Sequence, residues 1–143
     1  IAVCINPKDA THANIRATKE FGVNHCAADQ NIMSSVAGGY TGKEVDKIAA
    51  LKELGFKFYN AKKIKVLMVE EAALNVECKV VQEIPLGDHT MFVGEVLEAT
   101  TNGKEPIAYH KGNYWQLEKT IPRPPAEELE KIGRIVEKHR KHS

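Results

Sequence analysis

One histidine, His89, stands where a predicted turn meets a strongly β-forming segment of the chain. The turn residues Pro85, Gly87 and Asp88 come just before it, and the β-forming segment continues to Leu97. Binding groups are common where a loop meets a rigid strand, and an imidazole exchanges a proton near neutral pH. The pattern makes His89 and Asp88 candidate catalytic residues. The alternative is structural, with His89 bonded to backbone and Asp88 capping the turn.

A second group of polar residues follows the apolar run at residues 1–5 and enters a predicted helix. Helix N-termini offer free N–H groups and a positive partial charge, which suit a phosphate. An ordinary capped helix with a solvated face is the alternative interpretation. The side chains that could add charge and hydrogen bonds to a phosphate site are those of Asn6, Lys8, Thr11, His12 and Asn14.

A glycine-rich segment comes next, with Gly38, Gly39, Thr41, Gly42 and Lys43 in close succession. The spacing is not that of a Walker loop, and it is not a dinucleotide-binding glycine fingerprint. Two interpretations stay open. The segment is either a flexible connection between helices or a stretch of backbone that lies close to a ligand.

The remaining chemistry in the sequence is sparse. Tyr109, Tyr114 and Trp115 could stack on a flat ring or simply pack inside a barrel, and Cys26 beside His25 lacks a third partner for nucleophilic catalysis. We find no paired carboxylates for acid–base work and no metal-ligand spacing. This pattern suits an enzyme whose cofactor carries out the reaction while the protein binds and orients it.

Length and composition predict one domain in an ordinary soluble protein. The chain has 143 residues, 43% of them hydrophobic and 27% charged, and its net charge is +1. A charge so close to neutral gives no field that favours nucleic acid or an anionic membrane. The apolar runs are too short for a membrane span. Three widely spaced cysteines predict reduced thiols, and hence a cytoplasmic protein.

The elements that must position these residues change character along the chain. The first half predicts a β-α-β unit followed by short helices, with strands at residues 1–5 and 21–26 and an extended piece at 56–59. Predicted helices lie at residues 9–20, where Asp9 is the cap and Gly22 the stop signal, and at 31–37 and 43–54.

The second half predicts a β-meander. Apolar residues alternate from residue 72 to 80, which is the period of a half-buried strand, with Asn75 and Glu77 on the other side. A long strand at 89–100, an Asn-Gly hairpin signal at 101–104, and short strands at 107–110 and 114–117 follow. The fold class predicted is mainly β with α-helical cover, as in a small barrel.

The chain ends in a predicted Pro-rich linker, residues 121–125, and a C-terminal helix, residues 126–141. Leu129, Ile132, Ile135 and Val136 share one face of this helix. We expect that face to cover a core or a partner subunit.

Five segments, in matching order, resemble the flavin reductase-like family of FMN-binding split β-barrels. Residues 1–6 with 11–15 resemble the strand and helix near the FMN phosphate, and 21–24 the short strand after them. Residues 40–47 resemble the family's Ser-Gly-Arg-Asp-x-Asp-Lys segment, with Thr41 and Lys43 replacing Ser and Arg. Residues 87–96 match most closely, and 109–115 resemble a Tyr-x-x-Gly-x-Tyr hairpin.

The resemblance implies a homodimer of split β-barrels with FMN near the interface. In such proteins NAD(P)H gives a hydride to the flavin, which then reduces free flavin, ferric iron or a protein partner. Within the family, the sequence pattern is most similar to that of archaeal members, which include FMN-binding proteins and a ferric reductase. By the same resemblance, three groups of residues would contact the ligands. The FMN phosphate and ribityl chain would be surrounded by Asn6, Lys8, Thr11, His12 and Asn14. The flavin or nicotinamide would be bordered by Thr41, Gly42 and Lys43, and the nicotinamide side would be lined by Asp88 and His89.

The resemblance also implies strands before residue 1, including a Thr-, Ala- and Ser-rich stretch that wraps the flavin. We therefore expect this chain to lack N-terminal strands of the domain. The main hypothesis is an NAD(P)H:flavin oxidoreductase that binds neither nucleic acid nor membrane. The alternatives are a non-catalytic FMN-binding electron-transfer module, and a barrel without cofactor that acts through its C-terminal helix.

Overall fold

A computed structural model describes residues 1–117 and 122–140. The described part contains eight strands and four helices. The strands are β1 (Ala2–Ile5), β2 (Glu20–His25), β3 (Phe58–Asn60), β4 (Leu67–Val69), β5 (Leu74–Leu86), β6 (His89–Thr101), β7 (Ala108–His110) and β8 (Asn113–Trp115). The helices are α1 (Ala10–Thr18), α2 (Asn31–Gly39), α3 (Lys47–Glu53) and α4 (Ala126–Lys138).

The main sheet is antiparallel and has the strand order β1-β6-β5-β2. Its centre is the long hairpin of β5 and β6, 13 residues each, in which Leu86 pairs with His89 across a two-residue turn. Gly87 takes a φ of 58° in that turn, a conformation that glycine adopts without strain. Two smaller hairpins, β3–β4 and β7–β8, complete a mainly β architecture with helices.

Two irregularities interrupt the pairing of β5 with β6. The register shifts between Glu77 and Cys78 and again between Val80 and Gln82, so that Val81 lacks a paired partner. Bulges of this kind bend a strand and increase its twist. The long hairpin is therefore bent and more strongly twisted at these two positions.

The core lies between α1 and one face of the main sheet. Ile15 from α1 packs with Phe21, Val76, Cys78 and Phe92, all of which are buried. At the outer side of α1, Arg16 and Lys19 form ion pairs with Glu83 of β5, and the hydrogen bond from the Lys19 ammonium lowers the pKa of that half-buried carboxyl. Apolar packing and ion pairs thus hold α1 on the hairpin.

A second apolar cluster joins the short helices to the β3–β4 hairpin. Met33 of α2 and Leu51 of α3 pack with Val69 and Ala72. This cluster fixes where α2 ends relative to α3, and therefore shapes the loop between them.

The predicted β-rich second half is confirmed, but the exposure of β5 differs from the alternating pattern. Asn75 and Glu77 were expected on the solvent side, and both are buried. Glu77 accepts hydrogen bonds from the backbone N–H groups of Lys62 (2.9 Å) and Lys63 (2.6 Å), while the Asn75 amide donates to the Val69 carbonyl (3.0 Å). The segment from β3 to β4 covers this side of the sheet, so β5 is covered on both faces from Asn75 to Cys78.

Several predicted boundaries were wrong for local reasons. The helix α1 ends at Thr18 because Lys19 takes a left-handed φ of 58°, whereas Gly22 lies inside β2. The helix α3 begins at Lys47 rather than Lys43, because the Asp46 carboxylate accepts the N–H of Ala49 (3.0 Å) as a cap. Side-chain capping and one left-handed residue set these ends.

The Asn-Gly signal at 101–104 marks a turn but not a hairpin. Gly103 has a φ of 78°, and the Asn102 side chain accepts the N–H of Lys104 (2.9 Å). However, β6 pairs with β1 and β5, and β7 pairs with β8. The chain turns here and crosses to Ala27, which bridges to Pro106.

The C-terminal helix is confirmed as α4, which ends at Lys138. Residue 121 of the expected linker and residue 141 of the expected helix lie outside the described residues. No residue of α4 is buried, and its apolar face of Leu129, Ile132, Ile135 and Val136 is exposed. No helix in ranges 1–117 and 122–140 is long and apolar enough to cross a membrane.

Candidate functional site

A cavity of about 700 Å³ opens between the start of α1, the end of α2 and the loop that leads into α3. Its volume lies within the range of small-molecule sites, about 300–1,000 Å³. The wall residues that carry polar side chains are Asp9, Thr11, Asn14, Tyr40, Thr41, Lys43, Glu44, Asp46 and Lys47.

The first turn of α1 forms one wall of this cavity. The first N–H groups of a helix lack partners inside the helix. Here the His12 N–H donates to the Asp9 carbonyl (3.2 Å), but the Asp9 side chain makes no capping hydrogen bond to the first turn. No acidic residue lies in that turn, although the Asp9 carboxylate itself lines the cavity. Thr11 and Asn14 add a hydroxyl and an amide. This wall can donate hydrogen bonds to an anion.

The opposite wall is a loop held in place by Lys47. Its ammonium donates to the carbonyl oxygens of Ala37 (2.8 Å) and Tyr40 (3.0 Å). A lysine so placed satisfies carbonyls at the C-terminal end of α2 and complements the negative end of that helix. Lys47 was not predicted as a site residue, and only the length of its side chain could have suggested this reach.

The same loop brings a free cation to the cavity. The N–H of Lys43 is 3.3 Å from the Thr41 hydroxyl, and in the described part of the chain the Lys43 ammonium has no ion-pair partner. Gly42 lies against α1: a Cβ there would be 3.6 Å from the Cβ of Ala10. Lys43 is therefore available to an anionic ligand beside the start of α1.

The structure brings together five of the predicted binding residues and separates three others. Asn6, Lys8 and His12 do not line the cavity. Asn6 accepts the backbone N–H of Lys8 (2.9 Å) in the turn before α1, so its oxygen is used locally. The residues that do line the cavity are Thr11, Asn14, Thr41, Gly42 and Lys43.

His12 points into the body of the protein. It is buried, with Nε2 2.9 Å from the hydroxyl oxygen of Thr90 and its ring edge-on to Phe92 at 5.3 Å. Thr11 and His12 are neighbours, but successive side chains of a helix point about 100° apart. One therefore faces the cavity while the other faces the sheet.

The predicted catalytic pair lies at the tip of the β5–β6 hairpin. The Asp88 carboxylate is 2.8 Å from His89 Nδ1, and this hydrogen bond holds the pKa of the Asp88 carboxyl below its usual range. Neither residue lines the cavity. However, the next residue, Thr90, pairs with Ile5, which does. The pair thus lies at the same end of the sheet as the cavity.

A second cavity, of about 620 Å³, lies on the other side of the end of α2. Gly38 lines both cavities. Ser34, Ser35 and Gly39 from α2 face Tyr109, Gly112 and Tyr114 from the β7–β8 hairpin. The two tyrosines were noted in the sequence, whereas the serines carried no signal of their own. Elsewhere, the described residues contain no His, Cys, Asp or Glu cluster that could hold a metal ion.

Comparison with known proteins identifies the family to which this architecture belongs. A family model described as "Flavin reductase like domain" matches residues 1–118, which include both cavities and the hairpin tip. The chain belongs to the flavin reductase-like family. That assignment confirms the resemblance seen in the sequence.

Individual family members support the assignment. An uncharacterized protein of Archaeoglobus fulgidus is 34% identical over 116 residues, which are 76% of this chain and 63% of that protein. The reductase component of a 4-nitrophenol 4-monooxygenase/4-nitrocatechol 2-monooxygenase from Rhodococcus opacus is 30% identical over 80% of this chain and 56% of its own. The chain thus spans less than two thirds of the length of these relatives.

Among solved structures, the flavin reductase PheA2 superposes with a TM-score of 0.67 at 29% identity. The match covers 82% of this chain and 70% of that one. The mainly β fold with helical cover is therefore shared with a flavin reductase.

Proposed function

We propose that this protein is an FMN-binding oxidoreductase that takes electrons from NAD(P)H and passes them to free flavin, ferric iron or a protein partner. The observation that carries the proposal is the cavity at the start of α1, inside a chain of the flavin reductase-like family. A bound flavin would supply the redox chemistry, accepting two electrons as a hydride and releasing them to an acceptor.

The donor set of the cavity fits a flavin nucleotide. The first-turn N–H groups of α1 and the Lys43 ammonium would bind the phosphate, since both present positive charge to the same space. The Thr11 and Thr41 hydroxyls and the Asn14 amide would bind the ribityl hydroxyls. Lys47 would position this wall through its bonds to Ala37 and Tyr40. The cavity does not support a ligand role for Asn6, Lys8 or His12, because these residues do not line it.

For Asp88 and His89 we propose a role in orienting the nicotinamide nucleotide. An ionised Asp88 only accepts hydrogen bonds, so His89 must donate from Nδ1, which leaves Nε2 to face a ligand. Positioning the nicotinamide against the flavin would provide most of the rate.

We further propose a homodimer of split β-barrels in the cytoplasm. Exposed apolar residues lie on the long hairpin at Leu86, Val96 and Leu97. Apolar patches favour association. Three free cysteines fit a reducing compartment.

The alternative function is a flavin-binding electron-transfer module that a protein partner reduces. It is favoured by the position of the Asp88–His89 pair outside the cavity wall. In that case the protein would hold FMN without oxidising a nicotinamide nucleotide.

The visible absorption spectrum of the purified protein tests these functions. A flavin spectrum, with the released cofactor identified as FMN, and bleaching by NADH or NADPH without air would support the reductase. Bound FMN that neither nucleotide bleaches would favour the electron-transfer module. A protein that stays colourless after incubation with FMN would overturn both.

A further inference from the structure

The C-terminal helix α4 presents an apolar face that the described part of the chain leaves uncovered. All 13 residues of the helix are exposed, including the four that form this face, Leu129, Ile132, Ile135 and Val136. The helix also lies beyond residues 1–118, the part of the chain that matches the family model. Its apolar face is therefore a surface separate from the cavity proposed to bind flavin.

A helix of this length needs a packing partner to be stable. Isolated helices of about 12–15 residues are only marginally stable in water, and α4 has 13 residues with Gly133 in its interior. A glycine there weakens the helix further. Most helical stability in proteins comes from packing of an amphipathic face. We therefore expect the apolar face of α4 to be covered in the working protein.

The charges along α4 and its C-terminal end change sign between the first and the second half. Residues 126–132 carry three glutamates and one lysine, whereas residues 133–140 carry two arginines, one lysine and one glutamate. Two copies running in opposite directions would place each acidic half beside a basic half. Two parallel copies would place like charges together, which disfavours pairing. In charge, the helix is thus complementary to an antiparallel copy of itself.

One pair of charged residues defines this arrangement more closely. At about 100° per residue, Glu128 and Lys138 lie on the same flank of the apolar face, and at 1.5 Å per residue they are about 15 Å apart along the axis. They cannot meet within one helix. In an antiparallel pair, Glu128 of each copy would lie beside Lys138 of the other. Glu128 is 3.5 Å from Lys131 in its own helix, but such an exposed ion pair contributes little and exchanges easily.

An anionic membrane fits this helix less well than a second copy does. Residues 126–140 contain four acidic and four basic residues, so their charges cancel. Helices that lie on a membrane surface instead have a polar face rich in lysine and arginine. A second copy satisfies both the apolar face and the charge pattern.

We propose that α4 pairs in the antiparallel direction with α4 of a second copy of this chain. The pair buries the apolar faces against each other and places Glu128 of each copy beside Lys138 of the other. The contact involves no residue of the flavin cavity, and it does not depend on whether the barrels also associate.

The test is carbodiimide cross-linking of the full chain, which joins a carboxylate and an ammonium that are in contact. Equal amounts of unlabelled and ¹⁵N-labelled protein are mixed, so that a cross-link between two copies carries both isotope patterns in the mass spectrum of the digested protein. We expect a mixed-isotope cross-link between Glu128 and Lys138. A parallel pair would instead give mixed-isotope cross-links between Glu128 and Lys131.

Two matched variants separate pairing from chance collision. Ile132→Gln puts a polar side chain in the middle of the apolar face, whereas Arg134→Gln puts the same side chain on the opposite side of the helix. We expect Ile132→Gln to lower the yield of the Glu128–Lys138 cross-link about tenfold, and Arg134→Gln to change it less than twofold. Glutamine is a good helix former, so neither variant breaks the helix by propensity.

Exchange of the two charges gives a second, independent test. Glu128→Lys alone should weaken pairing, measured as the yield of the remaining mixed-isotope cross-links between the two helices. The double variant Glu128→Lys with Lys138→Glu should restore pairing and give a mixed-isotope cross-link between positions 128 and 138. A helix that merely needs these residues for its own stability would show no such recovery.

Three results would overturn the proposal. They are the absence of a mixed-isotope Glu128–Lys138 cross-link at protein concentrations up to about 200 μM, equal yields for Ile132→Gln and Arg134→Gln, and cross-links of the parallel kind only. If the cross-link is absent and the protein floats with phosphatidylserine vesicles, the occupant of the face is a membrane. Flavin uptake and bleaching by NADH are measured separately, so this inference and the proposed function can fail independently.

Discussion

His12 Nε2 lies 2.9 Å from the hydroxyl oxygen of Thr90, which ties the first turn of α1 to the strand that carries His89. The His12 ring is buried, and Phe92 lies edge-on to it. The contact joins the two parts of the chain in which the sequence predicts phosphate and nicotinamide contacts. It makes His12 a structural residue of the site rather than a wall residue.

Replacing His12 by Ala should destabilise the fold by about 2–3 kcal/mol, because it leaves a void beside Phe92 and an unpaired Thr90 hydroxyl. Urea denaturation measures the change. Thr90→Val keeps the volume and should cost less, and the double variant should be less destabilised than the sum of the two. A stable His12→Ala protein with greatly weakened FMN binding would instead make His12 a ligand.

Lys43→Ala should weaken FMN binding about tenfold, the effect of losing one charge-assisted bond to a phosphate. The affinity of the unchanged protein for FMN should fall as salt is added. The affinity of Lys43→Ala should fall less, because the variant lacks the charge that salt screens. Titration of FMN fluorescence gives both. Lys131→Ala, at an exposed lysine of α4, is the control and should have no effect. Equal affinities for the two variants would move the phosphate elsewhere.

Glu77→Ala should destabilise the protein by about 3 kcal/mol, because the N–H groups of Lys62 and Lys63 lose their acceptor in a buried setting. Glu95→Ala, on an exposed position of β6, should stay within about 0.5 kcal/mol of the unchanged protein. Thermal unfolding of both variants makes the comparison. Similar melting temperatures would mean that the segment from β3 to β4 does not depend on this carboxylate.

Gly94→Ala should destabilise the core by about 1–3 kcal/mol. The added Cβ would be 2.5 Å from Cζ of Phe21 and 2.8 Å from Cβ of Cys78, two side chains packed inside the sheet. Gly133→Ala, in the open middle of α4, should instead be neutral or stabilise by up to about 1 kcal/mol. Chemical denaturation of both variants measures the two changes in stability. An unchanged denaturation midpoint for Gly94→Ala would show that Phe21 and Cys78 can shift to accommodate the added methyl group at little cost.

The Asp88 carboxyl should titrate below its ordinary pKa, which is about 3.9, because His89 donates to its ionised form. A lowered folded-state pKa stabilises the protein above the unfolded-state pKa, and that contribution disappears as the pH falls through the folded value. Carboxyl-carbon NMR follows the titration directly. In His89→Ala the Asp88 pKa should return toward 3.9, and identical titrations would show that the pair does not form in solution.

Much of the fold follows from local patterns in the sequence. The strand β5, the Gly87–Asp88 turn and the helix α4 were each predicted from patterns among neighbouring residues, and all three appear in the structure. The order of five family-like segments likewise identified the family, because the motifs are read directly from the chain.

Other features were decided only by tertiary packing. Asn75 and Glu77 look solvent-facing by alternation, yet residues 60–69 cover them and use their polar atoms. Thr11 and His12 are equally polar. Their positions along the helix predict that their side chains point in different directions, but not which of the two packs against the sheet. Lys47 closes the loop over Ala37 and Tyr40 through contacts that no local pattern specifies.

Local sequence patterns were enough to predict most of the strands, the long hairpin, the C-terminal helix and the family, but not the strand β4. The tertiary structure decided which polar side chains line a cavity and that a second, uncharged cavity exists beside it. The physical reason is range: periodicity and turn chemistry act between residues a few positions apart, whereas burial depends on which distant segment comes to lie on each face.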